Sequence, residues 1–293
     1  MTYCVGLLVD TGLVLLSDSR TNAGVDQINT FRKMATFQRA NDRVLVLLSA
    51  GNLAITQAVI NLLHEVPESS DQSSPLSQAA QAARLSKSSQ PAPIPKSAQP
   101  SQSAQLSQSS QSSQPPQSSQ PPQLAPIFRA KNLFNAARVI GDALREIHDR
   151  DAKMLQEQGH EFNANFILGG QIKGEEPRLF HIYSAGNFIE SSIDTPYFQI
   201  GESKYGKPII DRVISRSSSL AQAAKCALIS MDSTIRSNLS VGPPLDLAII
   251  RRDEFKLATH ISIDMENEYF NMIRKRWGFA LQEVFSELPN PNW

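Results

Sequence analysis

The order of apolar patterns along the chain predicts an α+β fold, a four-layer αββα sandwich in which two antiparallel sheets stack face to face and helices cover both outer faces. Three observations lead there. Hairpin-like pairs of apolar runs stand at the start, in the middle and near the end of the sequence, and pairs of helical patterns separate them. The strict strand-helix alternation of a doubly wound parallel sheet is missing. Outside a Ser/Gln/Pro tract, no structural repeat of roughly 20 to 50 residues points to a solenoid.

Each element has its own signal. Thr2 to Val9 is apolar, Asp10-Thr11-Gly12 is a turn, and Leu13 to Leu16 resumes an apolar run, which together predict a buried hairpin. Lys33 to Gln38 and Arg43 to Ser49 predict a second pair about the polar Arg39-Ala40-Asn41-Asp42. At Ala50-Gly51-Asn52 the period changes, and Leu53 to Glu65 predicts a helix capped by Asn52. Leu133, Ala137, Ile140, Leu144 and Ile147 predict one long amphipathic helix from about Phe128 to Gln156. Phe162 to Ile172 and Arg178 to Ala185 form another hairpin-like pair, Tyr197 to Ile200 a short strand, and residues 206–216 and 219–234 two helices. Leu245 to Ile250 and Phe255 to Ile263 are the closing strands. A last helix follows, with an expected apolar stripe of Met265, Tyr269, Met272 or Ile273, Trp277, Leu281 and Val284.

The 293 residues carry 28 basic and 28 acidic side chains, so the net charge is zero. A nonspecific nucleic-acid binder needs an excess of Lys and Arg to displace counterions from phosphates, and no basic block occurs; nucleic-acid and membrane partners are not expected. Aromatic content is only 7% and charge 19% because one stretch dilutes both. Residues 69–123 hold 18 Ser, 13 Gln and 9 Pro in 55 positions, with no aromatic residue. Such a segment buries too little apolar surface to offset about 1 to 2 kcal/mol of backbone entropy per residue. The expected organisation is therefore a single domain, 1–293, interrupted by a disordered insertion at 69–123. Cys4 and Cys226 belong to no Cys-x-x-Cys or Cys/His cluster and read as reduced core residues, and the five histidines show no metal-binding spacing. No metal and no cofactor are expected. With no basic leader and no long apolar run, a cytoplasmic location is expected.

The chemistry points to the amino terminus. Thr2 follows the initiator Met1 and heads a buried strand, so removal of Met1 would place a free α-amine beside a hydroxyl on one residue. A hydroxyl alone is a poor nucleophile near neutral pH, but an amine of pKa about 7.7 to 8.0 can accept its proton directly or through one water.

Thr2, Asp18, Arg20, Lys33 and Ser49-Ala50-Gly51 together resemble the proteasome β-subunit family of N-terminal nucleophile hydrolases. The opening TYCVGLLVDTGLVLLSDSRTNAGVDQINTFRKM, the segment VLLSAGNLAITQAVINLL and the later SNLSVGPPLDLAII are similar to its bacterial ancestral β-subunit, or Anbu, branch. The resemblance implies the N-terminal nucleophile hydrolase fold and a threonine-type endopeptidase acting on peptide or unfolded protein. It implies Thr2 as nucleophile, Lys33 beside its hydroxyl, Asp18 orienting Lys33, and Gly51 N–H as oxyanion donor; Gly51 also permits the strand-to-helix turn. Arg20, Asn22 and Ser49 are implied at the substrate, Ser49 on the pocket floor or simply in the core. Asp232 matches the family's amine-holding Asp and Ser240 its serine, with Ser233 in reserve. Glu202 stands where another amine-supporting serine is usual, which would raise the amine pKa. Self-assembly into a ring or helical homo-oligomer is implied as well. Two alternatives stay open, a small-amide amidase of the same chemistry and a catalytically weak self-assembling scaffold.

Overall fold

Alternating apolar residues build two five-stranded antiparallel sheets, seen here in a computed structural model that describes residues 2–22, 28–65 and 125–293. The first sheet has the order β10-β1-β2-β11-β12, from β1 (Tyr3–Val9), β2 (Gly12–Asp18), β10 (Tyr197–Gly201), β11 (Leu245–Arg251) and β12 (Leu257–Ile263). The second has the order β5-β6-β7-β8-β9, from β5 (Met34–Arg39), β6 (Arg43–Gly51), β7 (Ala164–Ile172), β8 (Arg178–Ile182) and β9 (Phe188–Glu190). A ribbon of β3 (Arg20–Asn22) and β4 (Ile28–Thr30) stands apart from both.

β1 and β2 are buried along their whole length because the strands have apolar layers on both faces. Alternate residues of each strand, among them Cys4 of β1 and Leu13 and Leu15 of β2, meet Val44, Val46 and Leu48 of β6 between the sheets. The alternate residues Tyr3, Val5, Leu7, Val14 and Leu16 pack outward beneath α4 (Ser203–Val213), α5 (Leu220–Ser237) and α6 (Glu268–Glu287). On the other side, Leu45, Leu47, Phe166 and Leu168 pack beneath α1 (Leu53–His64), α2 (Pro126–Arg129) and α3 (Leu133–Glu157). The four layers are thus αββα, as the element order predicts.

Gly6 and Gly169 are needed where the sheets press together. A Cβ on Gly6 would stand 2.9 Å from the Leu179 side chain and one on Gly169 3.0 Å from that of Leu15, so a methyl at either position would require those packed leucines to shift.

Three local expectations are corrected. The single helix expected from Phe128 is two, because Arg43 Nη1 donates to the Ala130 carbonyl at 2.7 Å and Asn132 caps a new start by accepting from Asn135 N–H at 2.7 Å. Periodicity alone cannot register a break made by a side chain 87 residues away. The β3-β4 ribbon and β9 are three-residue strands, too short for a period-2 signal. The stripe expected on the last helix is core only in part, since Phe270 and Ile273 are buried while Met265, Tyr269, Met272, Leu281 and Val284 are exposed. The tract 69–123 lies outside the described residues.

Candidate active site

A cleft of about 380 Å³ opens at the head of β1, lined by Thr2, Ala50, Gly51, Asn163, Asn165 and Gly201. Three strand ends converge there. Thr2 precedes β1, Ala50 and Gly51 end β6, and Gly201 ends β10, which pairs with β1 in the register Tyr3 to Gly201. The Thr2 carbonyl accepts from Glu202 N–H at 2.8 Å, so the nucleophile candidate is fixed through its backbone.

Gly201 is there for a steric reason. Its φ is +81°, and a Cβ would fall 1.9 Å from the Thr2 carbonyl oxygen. Gly201→Ala is therefore expected to lower stability by about 1 to 3 kcal/mol and to displace Thr2. A urea melt reads the first effect and probe labelling of Thr2 the second; a variant with wild-type values in both would show that the strand ends can part freely. Gly51 has φ +117° and the same crowding, its Cβ position being 2.3 Å from the Asn163 carbonyl. The turn from β6 into α1 follows, with Asn52 accepting from Ala54 N–H at 2.9 Å.

Behind Thr2 lies a buried ion pair. Lys33 Nζ donates to Asp18 Oδ1 at 2.7 Å and to the Arg20 carbonyl at 2.7 Å, and the same Asp18 oxygen accepts from Tyr3 N–H at 3.0 Å. One carboxylate thus ties the lysine to the residue after Thr2. Burial pushes the Asp18 carboxyl above its ordinary value, against the downward pull of the Lys33 ammonium and of the Tyr3 and Gly242 N–H groups. Burial likewise raises the Cys4 thiol and the Tyr3 phenol, which supports an inert, structural reading of both. Tyr3 hydroxyl is engaged by Ser230 and Gln199, knitting β1 to α5 and β10.

Other sequence-identified residues have different placements. Arg20 Nη1 donates to the Leu239 carbonyl at 2.8 Å, and its guanidinium packs on Gly242, so Arg20 holds the 238–242 turn. That turn rests on the ion pair, with Gly242 N–H 3.4 Å from Asp18 Oδ2. Ser240 lies in it, half-buried, its N–H donating to Asn238 Oδ1 at 2.9 Å. Ser49 is buried, and its hydroxyl reaches the Lys33 carbonyl at 3.3 Å; it joins β5 to β6 and is not among the residues lining the cleft. Asn22 ends β3, and its side chain lies outside the described residues.

Asp232 is elsewhere. Its Oδ1 accepts from Arg274 Nε at 2.7 Å and its Oδ2 from Arg236 Nε at 3.0 Å, so both oxygens bind arginines at the seam of α5 and α6. Among the described residues no hydrogen bond or ion pair joins it to Thr2. Each Asp232 oxygen thus faces a guanidinium and not Thr2, a geometry that does not support the expectation that Asp232 holds the amine. Glu202, by contrast, is next to Thr2 and buried, with Lys204 Nζ 3.6 Å from its carboxylate.

Asn163 and Asn165 were not anticipated. They alternate with the buried Ala164 at the start of β7, and Asn165 stands opposite Ala50 in the β6-β7 register, its amide donating to Asn163 Oδ1 at 3.1 Å. Two amides at i and i+2 ahead of an apolar run were the available signal. Among the described residues, no group of three or more His, Cys, Asp or Glu could hold a metal ion, and no helix is long and apolar enough to cross a membrane.

The same architecture is found in solved structures. Anbu (ancestral β-subunit) from Yersinia bercovieri is 43% identical over 99% of both chains, with a TM-score of 0.74. An Anbu (Gly-1) mutant from Hyphomicrobium sp. strain MC1 is 41% identical over 100% of both, with a TM-score of 0.74. A structure described as the helical assembly of the Anbu complex from Pseudomonas aeruginosa is 36% identical over 99% of this chain and 98% of that one, again at 0.74. No protein-family model and no curated protein matches the chain. Two stacked antiparallel sheets between helical layers, with a threonine heading a central strand, define the fold class of the N-terminal nucleophile hydrolases. Within it, the chain belongs to the Anbu family of proteasome-related β-subunit-like proteins.

Proposed function

We propose that the protein is a threonine-type peptidase whose nucleophile is Thr2 after removal of Met1. The observation that carries this reading is the cleft shared by Thr2 and Gly51, with the buried Lys33–Asp18 pair tied to the Tyr3 N–H beside Thr2. In the proposed cycle the α-amine takes the Thr2 hydroxyl proton as the oxygen attacks a peptide carbonyl. Gly51 N–H donates to the oxyanion, and the Lys33 ammonium favours the alkoxide and keeps the neighbouring amine neutral. Collapse expels the substrate amine, which recovers the proton, and leaves an ester on Thr2. Water, deprotonated by the same amine, cleaves that ester and returns the hydroxyl. Ser240, in the turn resting on Asp18, is proposed to support the amine, and Asn163 and Asn165 to meet the peptide. The chain is further proposed to self-assemble, as the Pseudomonas aeruginosa relative does in its helical assembly.

Met1 decides whether this chemistry can begin, because a retained methionine turns the general base into an amide. The expected intact mass is that of the chain without Met1, and a peptide boronate or epoxyketone is expected to modify Thr2. A trimmed, assembled protein that resists both probes would support the scaffold reading instead. That second reading has its own observation: Asp232 is paired with two arginines, and Glu202, where the resemblance implies a serine, is buried next to Thr2.

A further inference from the structure

A carboxylate stands between the sheets with an oxygen that nothing satisfies. Leu13 and Leu15 of β2 and Ala248 and Ile250 of β11 belong to the cluster between the sheets, so strand alternation turns Ser17 and Asp246 to that same side. The register sets these two directly opposite one another, and Asp246 has Ser262 of the edge strand β12 on its other flank. Three oxygen-bearing side chains therefore form a row across three strands.

The row is closed at one end and open at the other. Asp246 is 3% exposed and Ser17 0%, whereas Ser262 is exposed. Among the described residues, Asp246 Oδ2 and Ser17 Oγ have no hydrogen-bond partner. Buried polar atoms are paired in the great majority of cases, and two orphans on facing residues mark a place that a bound species completes. Burial pushes the Asp246 carboxyl above its ordinary value, against the downward pull of Arg32 and His260. Both of those side chains are exposed, and neither bonds Oδ2.

We propose that this row holds a small monovalent cation, bound by Asp246 and Ser17 with Ser262 at its mouth. Carboxylate and hydroxyl oxygens are hard donors that suit an alkali or ammonium ion. One carboxylate supplies one negative charge, which a monovalent ion neutralises; a divalent ion would leave net positive charge in a place poorly reached by water. Because serines complete the site, no grouping of His, Cys, Asp or Glu marks it. The ion would tie β2 to β11 beside the buried pair, since Leu245 is opposite Asp18 and Gly242 N–H is 3.4 Å from Asp18 Oδ2. The inference does not depend on peptidase activity, and its readout is stability.

Thermal melts of the full chain test it, in potassium, sodium or ammonium chloride against choline chloride at equal ionic strength. One site at ten times its Kd raises the melting temperature by about 3 to 6 °C. A saturable rise of that size is expected with at least one of the three small cations. Choline is too large to enter between the sheets, and magnesium chloride is expected to match it. Asp246→Asn keeps the shape without the charge and is expected to melt in choline at or above the wild-type temperature, with no cation-specific rise. Ser17→Ala is expected to move the half-saturating concentration upward by about five- to tenfold. Equal wild-type melts in all four monovalent chlorides would mean that the carboxyl is protonated or paired within the chain, and would overturn the inference. A rise that survives in Asp246→Asn would overturn it as well, and a rise confined to magnesium would overturn the monovalent assignment.

Discussion

Thr2→Ala is expected to abolish peptide turnover while leaving the fold and assembly intact. Removing the nucleophile of a coupled catalytic group lowers kcat on the order of 10⁶-fold in a serine protease, and residual rate enhancement then comes from oxyanion donors and binding alone. The fold should tolerate the change because Thr2 is held through its backbone. Its carbonyl accepts from Glu202 N–H, and the next residue donates to Asp18, and neither bond uses the threonine side chain. Thr2→Ser keeps a hydroxyl beside the amine and is expected to retain measurable activity. The check is kcat/KM on a fluorogenic peptide together with boronate labelling of the trimmed protein. Undiminished turnover by Thr2→Ala would assign the hydrolysis to another group and end the peptidase reading for this cleft.

Lys33→Met should damage stability and activity together, and the stability loss should depend on pH in a definite direction. The substitution fills similar volume but leaves the Asp18 carboxylate, which is 0% exposed at its side chain, without its 2.7 Å partner. Breaking a buried pair from one side costs about 3 to 5 kcal/mol. Burial already raises the Asp18 carboxyl, and loss of the ammonium raises it further. A carboxyl raised in the folded state above its unfolded value of about 3.9 favours folding while protonated, and that contribution is lost as pH rises through the folded value. The gap between variant and wild type should therefore be small in mild acid and grow toward a plateau above neutrality. Urea midpoints at pH 5 and pH 8 read it. Asp18→Asn/Lys33→Met removes the stranded charge and is expected to recover most of the stability but none of the activity. A gap of equal size at both pH values would mean that Asp18 finds another cation or is neutral throughout.

The site was legible in uneven parts. Thr2, Asp18, Lys33 and Gly51 stand at strand ends within the first 51 residues, where strand pairing carries sequence spacing almost directly into space. Asp232 was matched from its position along α5, and a motif match does not report the side of the helix on which the side chain lies. A buried carboxylate is claimed by whichever cation packs against it, and here Arg236 is one helical turn away while Arg274 comes from α6. Arg20 and Ser49 each use a polar atom to hold a neighbouring segment, Arg20 at the Leu239 carbonyl and Ser49 at the Lys33 carbonyl, and the burial of Ser49 agrees with the core reading left open for it. Asn163 and Asn165 went unnoticed because two amides at i and i+2 share one face of a strand but do not say what that face meets, and only the β6-β7 register sets them beside Gly51.

The sequence by itself determined the layers and their order, because period 2 and period 3.6 apolar patterns are local and each demands a face to bury. It also carries the proposal for where the chemistry begins, because a residue exposed by trimming would hold hydroxyl and amine together. The tertiary structure alone decided which polar side chains face the cleft, where the long helix breaks at Asn132, and how far the last helix runs past its support. Those outcomes depend on partners distant in sequence, Arg43 for Ala130, Arg274 for Asp232 and Asp18 for Gly242, and a buried polar group takes its role from the partner that satisfies it.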